Sequence, residues 1–291
     1  MSHTHDDEVH EHDLGLQHDL GTLRKRRLGR RGMIGLFGGL GVAAVAAGCG
    51  ADPSGTATTA DTSTGQPTPP AGGMGGDSGV SVADGEIPEE TAGPYPGDGS
   101  NGPNLLTESG VVRSDITTSF GSASGVAAGI PLTVRFRVFD LTGEDASILA
   151  GAAVYAWHCD SAGNYSMYDG DAVNQNYLRG VQETGDDGWL EFTTIFPGCY
   201  AGRWPHVHFE VYESLDTATS ASNKLRTSQL AFPQDVCEQV YATSGYAPSV
   251  ANLAGISLES DMVFSDGYSL QMAKMTGSLA DGFVATLSVP I

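Results

Sequence analysis

Positive charge is scarce in this 291-residue chain: 14 Lys and Arg stand against 35 Asp and Glu, a formal net charge of −21. Binding a nucleic-acid backbone or an anionic membrane face requires Lys and Arg to match the phosphates, so neither partner is expected. Helical periodicity is equally sparse. Its best stretch is the short Gln234 to Tyr241, which argues against large helical layers. The apolar run from Met33 to Gly48 falls short of the roughly 20 residues a membrane span needs and is rich in Gly.

Positive charge is also unevenly placed: six of the 14 basic residues lie between Arg24 and Arg31, directly ahead of that apolar run. A basic region, an apolar region and small residues in that order read as an export signal over residues 1–48. Arg30-Arg31 resembles a twin-arginine signal, and Ala46-Ala47-Gly48-Cys49 resembles a bacterial lipoprotein cleavage box, with Cys49 as the lipidated residue. The expectation is an extracytoplasmic protein anchored to the outer face of the cytoplasmic membrane. His3, His5, His10, His12 and His18 would leave with the signal, so histidine chemistry falls to His158, His206 and His208. Residues 49–87 are Gly, Ser, Thr and Pro with few large apolar groups, a composition that cannot offset its ordering entropy; they are expected to be a flexible linker. The folded domain is expected over 88–291.

In that domain Leu132, Val134, Phe136 and Val138 alternate with Thr133, Arg135 and Arg137, as a half-buried strand requires. Ala153 to His158, Trp189 to Phe196 and Val207 to Val211 repeat the signal, with Asp186-Asp187-Gly188 as a turn. The fold class expected is all-β, a β-sandwich core with short helices and long loops.

Pro197-Gly198-Cys199-Tyr200-Ala201-Gly202-Arg203-Trp204-Pro205-His206-Val207-His208-Phe209-Glu210 is the most informative segment. Residues two apart on a strand face the same way, so His206 and His208 project together while Val207 and Phe209 go to the opposite face. Two imidazoles placed so can share one metal ion.

Here the chain resembles the intradiol ring-cleavage dioxygenases, the ferric enzymes that open catechol rings. The likeness runs through Glu90-Thr91-Ala92-Gly93-Pro94-Tyr95, Arg113-Ser114-Asp115-Ile116, Val154-Tyr155-Ala156-Trp157-His158-Cys159-Asp160, Gly163-Asn164-Tyr165-Ser166, Leu178-Arg179-Gly180, the segment above and Thr227-Ser228-Gln229-Leu230. It covers most of residues 88 to 232.

The resemblance implies non-haem Fe(III) held by Tyr165, Tyr200, His206 and His208, with Tyr168 the rival to Tyr165. A free Tyr has a pKa of about 10, so ionising one at neutral pH costs roughly 4 kcal/mol, which a trivalent cation supplies. Hard phenolate oxygens favour ferric over ferrous iron. The family pattern makes Tyr165 and His206 the equatorial ligands, and Tyr200 and His208 the axial ones. Tyr200 is then displaced by the chelating catechol and acts as base for its second hydroxyl. Arg203 corresponds to the arginine that stabilises charge developing on the ring, and Gln229 to a polar residue near the carbon that meets oxygen; Tyr95 is a candidate for the pocket wall. The implied activity is that of an oxidoreductase: ortho cleavage of a catecholic ring with O2, both oxygen atoms entering a muconate-type diacid. Trp204 is expected to alter the pocket beside the metal, and His158 to be buried without ligating it.

Two other functions use the same features. A secreted β-sandwich binding module would show these strands and aromatics without iron. A zinc hydrolase could combine His206 and His208 with Glu210, which lies on the same strand face. Cys159, Cys199 and Cys237 are an odd number for an oxidising compartment. One disulfide and one free thiol are expected, and a Cys159 to Cys199 bridge would tether the loops bearing Tyr165 and Tyr200.

Overall fold

The computed structural model describes residues 85–143 and 145–291. The expected signal over 1–48, the lipidation candidate Cys49 and all but the last three residues of the expected linker lie outside them. The described chain runs β1 (Pro131–Asp140), β2 (Ser147–Ile148), β3 (Ala153–Trp157), β4 (Arg179–Glu183), β5 (Trp189–Ile195), β6 (His206–Tyr212), β7 (Lys224–Ala231), α1 (Gln234–Tyr241), α2 (Ala247–Ala254), β8 (Lys274–Ser278) and β9 (Gly282–Pro290). This is the mainly β sandwich that the alternating pattern predicts, and the one short helix read from the sequence is α1.

β1 seeds the five-stranded sheet. β2 and β5 pair antiparallel along it and β9 pairs parallel, with β8 antiparallel beyond β9. Its even-numbered apolar residues Leu132, Val134, Phe136 and Val138 are all buried, the period of two that a sheet with one covered face imposes. The expected Asp186-Asp187-Gly188 turn joins β4 to β5 and closes on a Gly188 N–H bond to the Gly185 carbonyl.

The second sheet has the order β4-β3-β6-β7, antiparallel throughout. Val154, Ala156, Val207, Phe209 and Val211 join β1 and β9 in the main core, where the Phe136 and Phe209 rings meet at 4.8 Å between centroids. The opposite face is buried as well. Ala153, Tyr155, Trp157 and Tyr212 form a second cluster with Leu105, Leu106, Val111 and Tyr165, residues brought in by the loops. Every residue of β3 and β6 is therefore buried, and the polar face of β6 is closed by loops instead of by a sheet.

Candidate metal centre

His206 and His208 stand two apart on β6 and turn to the loop-covered side, each 2% exposed. Antiparallel pairing sets Trp157 of β3 opposite His208, and the two rings stack at 4.9 Å and 5°. On the other flank β7 sets Gln229 opposite His208. Gly93 crosses the His208 ring closely: a Cβ there would lie 3.4 Å from Cε1, and its φ of +71° is one that L side chains rarely adopt.

The tyrosines come from two loops. Tyr165 follows β3 in a segment shaped by Asp160, whose Oδ1 accepts the Ala162 and Asn164 N–H groups at 2.9 Å. Tyr200 opens a turn in which the Arg203 N–H reaches back to the Tyr200 carbonyl at 3.4 Å. Gly202, at φ +82°, takes the third position, which a type II turn reserves for residues tolerating positive φ. The turn sets Tyr200 and Arg203 at its two ends, just ahead of β6.

These elements bring four donor atoms together. Tyr165 Oη lies 3.4 Å from Tyr200 Oη and 3.3 Å from His206 Nε2, Tyr200 Oη lies 3.3 Å from His206 Nε2, and the two Nε2 atoms are 3.0 Å apart. Two ligands each about 2.1 Å from one cation, at angles of about 90–110°, lie about 3.0–3.4 Å apart, so the spacing suits a single first-row ion. The tautomer agrees: His206 Nδ1 sits 2.5 Å from the Trp204 carbonyl, which only accepts, so Nδ1 carries the proton and Nε2 offers its lone pair inward. His208 Nδ1 is buried with no hydrogen-bond partner. The donor set fits a hard trivalent ion such as Fe(III).

Burial keeps all four groups neutral when no cation is near. It pushes the Tyr200 phenol up to about 12, with Arg203 pulling the other way, and burial together with Tyr200 pushes Tyr165 well above the ordinary phenol value. Desolvation and then Arg203 lower His206 to about 3; desolvation and then His206 hold His208 well below the usual imidazole range. Neutral imidazoles are ready ligands, and phenols this reluctant to ionise in isolation become phenolates beside a strong cation.

Arg203 and Gln229 are joined: Arg203 Nη2 donates to Gln229 Oε1 at 2.6 Å, and Gln229 Nε2 donates to the Thr91 carbonyl at 3.0 Å. Tyr95 packs at 5.2 Å between ring centroids from Tyr165 and 5.0 Å from Tyr168. Tyr168 itself is turned away. Its hydroxyl accepts the Gly97 N–H and donates to Asn101 Oδ1, so Tyr165 is the tyrosine that meets His206. His158 is buried outside the cluster, its ring nitrogens satisfied by the Cys159 carbonyl and the Thr194 hydroxyl.

Three expectations change. Cys159, Cys199 and Cys237 are all buried free thiols, so no disulfide forms among the described residues. Cys159 Sγ turns to the Gly198 carbonyl and Cys199 Sγ to the Arg203 carbonyl, while the loops are tied by a Gly198 N–H bond to the Asp160 carbonyl at 3.0 Å. Trp204 lies in the main core with its indole N–H on the Phe232 carbonyl, so only its backbone serves the site. Glu210 shares the face of His206 and His208 but is held by the Tyr212 and Thr227 hydroxyls and lies 3.7 Å from Lys224; burial raises its carboxyl to about 8. Among the described residues no three His, Cys, Asp or Glu side chains are grouped to hold a metal, which leaves the zinc hydrolase reading without its third ligand. The sequence reading missed Asp261. It is wholly buried and contacts Arg203, yet it sits in a loop with no motif around it.

Comparison with known proteins points the same way. A family model described as Dioxygenase matches residues 101–244, a span holding both tyrosines, both histidines, Arg203 and Gln229. Catechol 1,2-dioxygenase 1 of Acinetobacter lwoffii is 37% identical over 100 residues, 28% of this chain and 31% of the relative. The 6-chlorohydroxyquinol 1,2-dioxygenase of Cupriavidus pinatubonensis is 36% identical over 114 residues, 31% of this chain and 40% of the relative. The chain thus spans less than half the length of these curated relatives. Among solved structures, an intradiol ring-cleavage dioxygenase from Tetranychus urticae superposes with a TM-score of 0.55 at 25% identity, covering 71% of this chain and 94% of its own.

Proposed function

The chain belongs to the intradiol ring-cleavage dioxygenase family, and from that premise we propose that it opens a catecholic ring between its two hydroxyl-bearing carbons. Both atoms of O2 enter the product, a muconate-type diacid. Tyr165, Tyr200, His206 and His208 would hold non-haem Fe(III), which when bound acidifies the catechol hydroxyls and makes the ring electron-rich toward oxygen. The observation that carries this reading is the convergence of two phenol oxygens and two imidazole Nε2 atoms at 3.0–3.4 Å.

The residues divide the remaining work. Tyr165, 3% exposed and packed against Tyr95, would be the fixed tyrosine of the set. Tyr200 is only partly buried and sits at a turn, so its Oη would be free to take the proton of the second catechol hydroxyl. Arg203, at the other end of that turn, offers positive charge where the ring accumulates negative charge. Gln229 fixes the guanidinium from one side, and Tyr95 walls the pocket over Tyr165. Export through residues 1–48 and a lipid anchor at Cys49 belong to the same proposal and place this chemistry outside the cytoplasm.

The test is the visible spectrum of the iron-loaded protein before and after anaerobic catechol, followed by admission of O2. A tyrosinate-to-iron charge-transfer band that moves to longer wavelength with catechol, then a ring-opened diacid on oxygenation, is expected. A colourless protein that ignores catechol after iron reconstitution would leave a binding module as the better reading.

A further inference from the structure

Asp261 lies in the loop between α2 and β8, beyond the residues that match the family model, next to Met262, which is 68% exposed. Its own carboxylate is wholly buried and accepts four hydrogen bonds. Oδ1 takes the Val263 and Phe264 N–H groups of its own turn at 2.8 and 3.3 Å. Oδ2 takes Arg203 Nε at 2.9 Å and the Trp204 N–H at 2.6 Å. All four partners donate, so only an acceptor-only side chain satisfies the site; an amide in either orientation would aim its NH2 at donors. Burial works against the charged form, and the Arg203 guanidinium and Trp204 N–H outweigh it, holding the carboxyl below its ordinary value.

The two bonds at Oδ2 reach the centre by separate routes. Through Nε, Asp261 orients the guanidinium whose Nη2 is held by Gln229, so two of its three nitrogens are fixed from opposite partners. Through the Trp204 N–H it anchors the residue whose carbonyl receives His206 Nδ1. We propose that Asp261 is a positioning residue of the centre, one oxygen that sets the aim of Arg203 and the backbone seat of His206 together. The inference rests on the dioxygenase reading for what Arg203 does, and on these contacts alone for what holds it.

Three full-length proteins loaded with Fe(III), Asp261→Asn, Arg203→Gln and the double variant, test it with catechol as substrate. Asp261→Asn should lower kcat at least about ten-fold while KM moves less than about three-fold, and the double variant should be slower than Arg203→Gln by clearly less than the single effect of Asp261→Asn, because one of the two routes from Asp261 runs through Arg203 and only the one to His206 is left to lose. Multiplying effects in the double variant, or a loss of Tm with kcat unchanged, overturn the proposal and leave Asp261 a turn-former. A second readout needs neither turnover nor a variant. In the metal-free wild type the Arg203 Nε–H, observed by NMR, should exchange with solvent at least about 100-fold more slowly than in free arginine. Exchange at the free rate overturns the proposal even if Asp261→Asn fails to fold. Absence of any catechol cleavage by the wild type sinks the dioxygenase reading instead, and the exchange rate still decides whether Asp261 holds Arg203.

Discussion

β6 carries Val207, Phe209 and Val211 into the space between the sheets and His206, His208 and Glu210 into a space closed by loops, and both sides are shut off from solvent. The apolar side is held by area and packing, which tolerate any well-fitting hydrocarbon. The polar side is held atom by atom: His206 by the Trp204 carbonyl, Glu210 by two hydroxyls, His208 by a stacked indole. Two atoms here, His208 Nδ1 and the Trp157 Nε1 of that indole, are left without a partner. Equal burial thus hides opposite dependence on chemistry, and neighbouring positions on one strand should respond to mutation in opposite ways.

The sharpest contrast is between adjacent residues. Phe209→Ala, which empties the contact with Phe136, should cost about 3–5 kcal/mol in urea denaturation of the metal-free protein. His208→Ala should cost within about 1–2 kcal/mol in the same experiment, since it removes a buried unpaired nitrogen along with the ring, yet abolish stoichiometric iron uptake. Equal stability losses at the two positions would break the comparison.

A smaller contrast separates the loop tyrosines. Tyr165→Phe should weaken and shift the charge-transfer band, to which Tyr200 would still contribute, and abolish turnover. Tyr168→Phe should keep both and lose only its bonds to Gly97 and Asn101, about 1 kcal/mol of stability, read as a small drop in Tm.

Buried titratable groups give the fold a pH signature at both ends of the range. Burial lowers His158 to about 4 and, helped by Asp266, raises Glu90 to about 8. Between pH 6.5 and about 4 the unfolded chain binds the His158 proton and the folded one does not, so stability present above 6.5 is lost as pH falls through that window. Glu90 works in the reverse sense. From pH 4.5 to about 8 the folded carboxyl keeps its proton and the unfolded one has released it, so stability falls as pH rises. Metal-free stability, followed by denaturation from pH 4 to 9, should therefore decline toward both ends. Glu90→Gln should reduce the slope between pH 6.5 and about 8, leaving the share of Glu210, whose carboxyl burial also raises to about 8, and should steepen the acid side from pH 4.5 to 6.5, where Glu90 opposes His158; an alkaline slope unchanged in that variant would exclude Glu90 as a source.

What could be read from residues alone follows the same division. Periodicity of two found β1, β3, β5 and β6 because each has an apolar face against the main core, and it placed His206 and His208 on one side of β6. It did not reveal that this side is buried too, since the cover arrives from loops such as those bearing Leu105, Tyr165 and Tyr95, with no period of their own. The parallel pairing of β9 with β1 joins segments about 150 residues apart in a register local patterning does not encode. Asp261 was invisible for a related reason: a lone carboxylate in a polar loop looks like any other in a chain with 35 Asp and Glu. Counting cysteines misled because parity says nothing about where thiols point.

The smallest expected effect tests how the loop cover is fastened. With Cys159, Cys199 and Cys237 free, the loops that bring Tyr165 and Tyr200 together rest on the Gly198 N–H bond to the Asp160 carbonyl and on thiol–carbonyl contacts. A reductant should then leave Tm unchanged, where a bridge closing the 40-residue separation from Cys159 to Cys199 would contribute about 2–4 kcal/mol and lower Tm on reduction by several degrees. Thiol titration of the unfolded chain should count every domain cysteine as free. A reductant-dependent Tm would mean that the polar side of β6 is closed covalently, and the contrast with the hydrocarbon side would then rest on a cross-link as well as on hydrogen bonds.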